Sequence, residues 1–294
     1  MTFKEKYGPT ALVAGASEGL GEAYAHALAA RGLDLILIGR RQQPLEETAK
    51  KITAQFGVKA LPVICDLSKG DAVQQIIDAI GDLPVDFLVY NAAMSYIGPY
   101  LATDLSTHNG IATVNMLTPL SILHHFGGKM VQRNRDGKMV ERRRGSTMVE
   151  KRKGMVERRK GGIVIMSSIA GFQGSGYLAT YAATKAFCRV LAEGLWYEWR
   201  PLNVDVIACC AGATTTPNYL RTKPRKASSL EPKVQLPADV VEECLKRIGT
   251  TPSFVSGTGN KVVTFLMRHV FSLKKSITIM GDSMKKKFTL TSNS

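Results

Sequence analysis

Tyr181 and Lys185 stand four residues apart in the run YAATK, and Ser168 lies thirteen residues before the tyrosine. The apolar residues Ala182, Phe187, Val190, Leu191, Leu195 and Trp196 recur at mostly helical intervals, which predicts a helix over 181–199. On that helix Tyr181 and Lys185 share one face, a turn apart. An ammonium beside a phenol favours the phenolate and makes the tyrosine a competent proton donor and acceptor. Taken alone, the pair also reads as a partly buried tyrosine and a solvated lysine on an amphipathic helix. The elements around it decide between the two.

Those elements alternate. Short apolar runs at 11–14, 35–38, 60–64, 87–89, 163–166 and 204–209 are little broken by polar residues, as expected of strands covered on both faces. Helical stretches at 19–31, 45–56, 71–80, 106–126 and 181–199 lie between or beside them. A seventh strand at 253–256 is weakly marked. The alternation predicts an α/β fold: a single doubly wound domain of Rossmann type over residues 1–294, with a mostly parallel seven-stranded sheet. Ligands of such sheets bind beyond the carboxyl ends of the strands.

The first such end carries GASEGLG, with Gly15, Gly19 and Gly21 between strand and helix. Glycines there permit a tight turn and let backbone amides approach a pyrophosphate. Where the second strand ends, an acid would hold the ribose 2′-hydroxyl of NAD. The sequence instead has Gly39, Arg40 and Arg41, and Arg40 offers a planar fork to the 2′-phosphate of NADP. The cofactor is therefore read as NADP(H) in preference to NAD. Ser17 would assist at the phosphate, and Glu18 would repel it if turned inward. Asp66, after the third strand, either meets the adenine edge or caps the next helix.

With the glycine turn, Ser168 and YAATK in one chain, the sequence resembles the short-chain dehydrogenase/reductase family from about Thr10 to Gly212. The motifs are GASEGLG, YNAAM at 90–94, Asn115, SSIAG at 167–171, and YAATK. Ala14 replaces a usual threonine, YNAA replaces NNAG, and Ala211 replaces a proline before Gly212. The resemblance implies that Tyr181 exchanges a proton with a carbonyl/alcohol oxygen, that Lys185 supports it, and that Ser168 holds the same oxygen. Asn115 would position a water relaying protons toward Lys185. It further implies a nucleotide site made of Gly15, Ser17, Gly19, Leu20, Gly21, Arg40, Arg41, Asp66, Leu67, Asn91, Tyr181, Lys185 and Thr216. The opening segment looks like the branch of hydroxysteroid and long-chain 3-ketoacyl reductases. Met94, Tyr96, Phe172, Gln173 and Tyr177 are expected to wall an apolar substrate site, under a lid at 213–237 with Tyr219 and Leu220. A homo-oligomer, dimer or tetramer, is implied as well.

Length and composition agree. The 294 residues are 45% hydrophobic and 21% charged, as in a globular protein. The start lacks the apolar stretch of a signal peptide, and no segment approaches the roughly 20 apolar residues of a membrane span. Five cysteines without metal-like spacing suit a reducing cytoplasm. The stretch 262–271 and the lysine-rich C-terminus are read as packing on the core, with peripheral membrane association as the alternative.

The net charge of +15 is concentrated in residues 129–160, where thirteen Lys/Arg face four acids, a net of +9. The segment repeats MVQRNRDGK, MVERRRGST, MVEKRKG and MVERRKG, with Gly137, Gly145 and Gly154 between copies. The repeat offsets give no continuous apolar stripe. It is read as a duplicated surface insertion of short turns, at the sheet edge opposite the site. It could attract anionic surfaces weakly, and no motif for specific nucleic-acid recognition accompanies it. The competing function is a nucleotide-sensing or polyanion-binding protein working through this insertion.

Overall fold

The computed structural model describes residues 1–134, 160–222 and 231–288. A short helix α1 (Phe3–Tyr7) leads into β1 (Thr10–Ala14), α2 (Gly19–Ala30), β2 (Asp34–Gly39), α3 (Gln42–Phe56), β3 (Ala60–Ile64), α4 (Ala72–Ile80) and β4 (Phe87–Tyr90). Then come α5 (Leu105–Ala112), α6 (Thr118–Ile122), β5 (Gly161–Ser168), α7 (Ala179–Trp199) and β6 (Val204–Ala211). The described chain ends with α8 (Pro217–Arg221), α9 (Pro237–Arg247), β7 (Ser253–Val255), α10 (Thr258–Phe265) and α11 (Leu273–Phe288).

The seven strands form one sheet in the order β3-β2-β1-β4-β5-β6-β7, and all six pairings are parallel. Alternate side chains explain the uninterrupted apolar runs. Ala11, Val13, Leu35, Leu37, Phe87 and Val89 point into one core, with Leu28 of α2, Leu45 of α3 and Val241 of α9. Leu12, Ala14, Ile36, Ile38, Leu88 and Tyr90 point into the other, with Ile76 of α4, Ile122 of α6 and Cys188 of α7. Each face of the sheet is thus covered by helices, as period-two side chains require when no face meets water. The outer strand β3 is the exception: Leu61 and Ile64 are exposed, because an edge strand lacks cover along one side.

Two expectations need correction. The helix expected at 106–126 runs on through 128–134 and is interrupted by π-turns at Thr113–Leu117 and Leu123–Gly127. The insertion therefore begins later than residue 129. Met130 is buried, and Asn134 donates to the carbonyls of Leu202 and Asn203 at 3.1 and 2.9 Å. Gly127, which looks like a helix breaker, admits the Trp199 ring: an added Cβ would lie 2.5 Å from Cζ3. At the other end, the Lys160 amide donates to the Lys6 carbonyl at 2.7 Å, and its ammonium lies 3.5 Å from Asp205. Both ends sit at the amino edge of the sheet, beside the starts of β5 and β6. The remaining repeats, residues 135–159, lie outside the described residues.

Candidate active site

Strand order reverses beside β1, which pairs with β2 on one side and β4 on the other. This is the crevice where an open α/β sheet receives a ligand. Gly15 leaves β1 with φ +81°, and its amide and that of Ala16 donate to the Ile38 carbonyl at 2.9 and 3.0 Å. Gly19 opens α2 with φ +63°, a conformation that disfavours a Cβ. A Cβ on Gly21 would overlap the Gly15 carbonyl oxygen, so the third glycine permits turn and helix to close. Asn91, just past β4, donates its Nδ2 to that same carbonyl at 3.0 Å. Glu18 occupies the N-cap of α2 without a side-chain cap bond, so the first amides of the helix are not consumed by their own cap. Such a helix start suits a pyrophosphate.

The other expected nucleotide residues surround this turn. Ser17 packs at the tip of β2, where its Cβ would lie 3.5 Å from a Cβ on Gly39. Leu20 is partly buried against the first core, and Leu67 is buried in the second, with its carbonyl accepting from Thr118 at 2.7 Å. Asp66 accepts from the amide and hydroxyl of Ser68 at 3.0 and 2.8 Å. The Ser68 amide is the chief cause holding its carboxyl below the usual range, and Arg40 adds to the effect. Asp66 therefore closes a turn of its own, and it is not the cap of α4. Arg40 is exposed, whereas Arg41 pairs with Glu18 at 2.8 Å. The Thr216 hydroxyl caps α8 by accepting from Tyr219 N at 3.2 Å, and its side chain sits over Gly19. The stretch Gly15–Gly21, Asn91 and Thr216 thus forms a cradle that fits a dinucleotide.

The residues expected to carry proton transfer, Ser168, Tyr181 and Lys185, lie at the carboxyl end of β5 and the start of α7. Lys185 is only 3% exposed, and its ammonium donates to the Met166 carbonyl at 2.9 Å. Its Nζ is 5.5 Å from the centre of the Tyr181 ring. The Ser167 hydroxyl donates to the Lys185 carbonyl at 2.7 Å, and Gly171 leaves room for the same backbone. The Ser168 oxygen accepts from Ala170 N at 3.2 Å, which fixes the hydroxyl and leaves its proton to donate. Sequence reasoning missed Ser167 and Met166 as supports, because a serine and a carbonyl at a strand end carry no signal of their own.

Asn115 is 1% exposed inside the first π-turn. Its Oδ1 accepts from Met94 N at 2.8 Å, and its Nδ2 donates to Met94 O and Thr184 Oγ1, both at 2.9 Å. The side-chain amide has both donor hydrogens engaged with protein, so it braces the loop after β4 against α7. Tyr90 supports the same turn by donating to the Val114 carbonyl at 2.5 Å. Truncation to Ala would leave the partly buried Met94 amide and carbonyl without this partner and remove one of the two hydrogen bonds of Thr184. We expect Asn115→Ala to lose about 2–3 kcal/mol of stability, read as a lower urea midpoint at unchanged slope; an unchanged midpoint would contradict the brace.

A recess lined by Tyr96, Tyr100, His108, Ile111, Tyr177 and Thr180 opens next to this site. Tyr177 holds φ +61°, uncommon for a bulky residue, and its carbonyl accepts from Gly98 N at 2.9 Å. Met94 is fixed by Asn115, and Gln173 is partly buried. Phe172 has Arg189 and Arg268 each 4.9 Å from its ring centre, so it is held as a brace more than offered as a wall. Of the expected lid, 213–222 and 231–237 are described. Thr214 pairs with Gln235, Leu220 is exposed, and Lys287 of α11 lies 5.8 Å from the Tyr219 ring centre and 3.5 Å from Glu231.

The short-chain dehydrogenase family model matches residues 9–141 and 146–226. The chain belongs to the short-chain dehydrogenase/reductase family. It is accordingly an NAD(P)-dependent oxidoreductase. A 7beta-hydroxysteroid dehydrogenase of Clostridium sardiniense is 33% identical over 261 residues, covering 89% of this chain and 90% of the relative. A very-long-chain 3-oxoacyl-CoA reductase of Anas platyrhynchos is 29% identical over 279 residues, covering 95% of this chain and 80% of that one. A solved structure of a 7beta-hydroxysteroid dehydrogenase, determined for its stereoselectivity, superposes with a TM-score of 0.81 at 26% identity, covering 95% of this chain and 99% of that one. These relatives match the branch expected from the opening segment. Among the described residues no helix is long and apolar enough to cross a membrane, and no cluster of acids, histidines and cysteines could hold a metal.

Proposed function

We propose that the protein interconverts a ketone and a secondary alcohol on a bulky apolar skeleton of steroid type, using NADP(H). The observation that carries this reading is Lys185. A lysine 97% removed from solvent is costly unless its charge is used, and this one is aimed between a strand-end carbonyl and Tyr181. When bound, the nicotinamide supplies or accepts the hydride at the carbonyl carbon. In reduction the Tyr181 hydroxyl gives its proton to the carbonyl oxygen, yielding the alcohol, and in oxidation the phenolate takes it back. The Ser168 hydroxyl donates to the same oxygen and steadies charge growing there. The Lys185 ammonium, fixed by Met166, stabilises the tyrosinate left behind. Asn115 acts as a positioning residue through Met94 and Thr184.

The preference for NADP(H) rests on Arg40 and Arg41 beyond β2, where residues 39–41 themselves supply no carboxylate for a ribose 2′-hydroxyl. The steroid reading rests on likeness to the hydroxysteroid dehydrogenases. NADPH oxidation against ketosteroids, 3-oxoacyl thioesters and small ketones tests both. We expect turnover on a ketosteroid; turnover on thioesters alone would replace the substrate class, and none on any ketone would sink the reading. Polyanion binding as the main function is disfavoured, because Ser168, Tyr181 and Lys185 are kept together for proton transfer.

The partner proposed is a second copy of the chain. Leu117, Leu120, Val190 and Tyr197 leave apolar surface exposed on the neighbouring helices that carry Asn115 and Lys185. Light scattering should give at least twice the 32.0 kDa chain mass; a monomer at micromolar concentration would refute it. Placement in the reducing cytoplasm is supported by five cysteines that are all free and buried. Recovery in a secreted fraction would contradict that placement.

A further inference from the structure

Glu18 stands in the phosphate turn, a place where a carboxylate opposes an anionic ligand. Its surroundings show how the conflict is managed. Arg41, from the tip of β2, lies 2.8 Å from Oε2. Arg221, from the lid helix α8 and 203 residues away in sequence, donates Nη2 to Oε1 at 2.6 Å and Nη1 to Oε2 at 3.4 Å. Burial would raise the Glu18 carboxyl, but Arg221 and Arg41 outweigh it and hold the group below the usual range. Glu18 is therefore ionised at neutral pH.

Charge arithmetic then separates two situations. Glu18 with Arg41 alone is a neutral pair, and an arginine so matched has little attraction left for a phosphate. With Arg221 added, the cluster carries a net positive charge, and exposed Arg40 stands nearby with Asp66 facing it. We propose that Arg221 determines cofactor specificity: by sharing Glu18 with Arg41, it leaves a net positive charge beside the tip of β2 for the 2′-phosphate of NADP(H). The residue that tips the choice between the two nucleotides thus comes from the lid and not from the nucleotide-binding half. The same short helix begins with Thr216 over Gly19, so Arg221 is placed by a segment that packs on the glycine turn. This inference rests on the NADP(H) reading above and deepens it.

The test is calorimetric titration of NADPH and NADH into the full chain and into the Arg221→Ala, Arg221→Lys, Glu18→Gln and Glu18→Gln/Arg221→Ala variants. The Arg221 side chain is 56% exposed, so truncation leaves no cavity, and thermal melting confirms that each variant is folded. The wild type should bind NADPH more tightly. Arg221→Ala should weaken NADPH about tenfold, equivalent to one charge pair partly restored to neutrality, and change NADH by less than about twofold. Arg221→Lys should keep most of the preference, and Glu18→Gln should restore it to Arg221→Ala, since no carboxylate then competes for Arg41. An equal loss for both nucleotides would reduce Arg221 to a structural tether and overturn the proposal. Failure of Glu18→Gln to rescue would overturn it too. If the wild type prefers NADPH and Arg221→Ala keeps the ratio, only this inference falls; if the wild type shows no preference, the cofactor reading falls with it.

Discussion

Replacement of Tyr181 by Phe should lower turnover by on the order of 10³-fold while the protein still folds and binds nucleotide. The change removes one oxygen. The ring remains, and with it the contact to the Lys185 ammonium 5.5 Å from its centre. Tyr181 is only partly buried, and its hydroxyl is not an element of the core. Without that hydroxyl, no group at this position can give a proton to the carbonyl oxygen as the hydride arrives, so the barrier rises by about 4 kcal/mol. Ser168 would still hold the oxygen, which explains why a residual rate should persist. The assay is steady-state NADPH oxidation with the ketone accepted by the wild type, alongside nucleotide titration and a thermal melt. Retained turnover would remove Tyr181 from the reaction; loss of the melt transition would show that the residue was structural.

The second large effect is expected at Gly21. An alanine there places its Cβ onto the Gly15 carbonyl oxygen and beside Asn91 Nδ2, at 2.7 Å. Neither neighbour can yield cheaply. The Gly15 carbonyl is fixed by Asn91 at 3.0 Å, and the turn amides are fixed by Ile38. The turn must therefore spread from α2, carrying the helix start away from the pyrophosphate. A displacement of about 1 Å costs on the order of 10²-fold where geometry sets the interaction. Gly21→Ala should lose at least that much affinity for NADPH and NADH alike, in contrast with the selective loss expected at Arg221. Affinity within about threefold of wild type would show that the turn is softer than its contacts imply.

Several features were legible before the structure for definable physical reasons. Strands covered on both faces must be apolar at every position, which is why six runs of Val, Ile, Leu and Ala stood out. Tyr181 and Lys185 stand a turn apart, and the three glycines fall within seven residues, so spacing alone places the members of each set together. What stayed hidden depends on distance or on exchange of partners. The Glu18–Arg221 bond spans 203 residues, and nothing near either residue announces the other. The use of Asn115 as a brace follows from Met94 and Thr184, which only the fold brings near. The helix expected to stop at residue 126 continues, because Gly127 serves the close approach of Trp199. Arg189 and Arg268 beside the Phe172 ring were likewise illegible in the sequence, since only the fold brings them there.

The two π-turns fix more than the placement of Asn115. A π-turn closes its hydrogen bond over i→i+5, one residue wider than an α-turn. The buried residues after Thr113–Leu117 face the sheet only because that extra residue has been counted. Removing one residue there would let the helix revert to α-geometry and turn the remainder by about 100°. Ile122, Phe126 and Met130, now buried against β4 and β5, would swing toward water. Side chains along this stretch are open to exchange in kind, but its length is not: the helix works as a combination lock, in which the number of steps matters more than what is written on each.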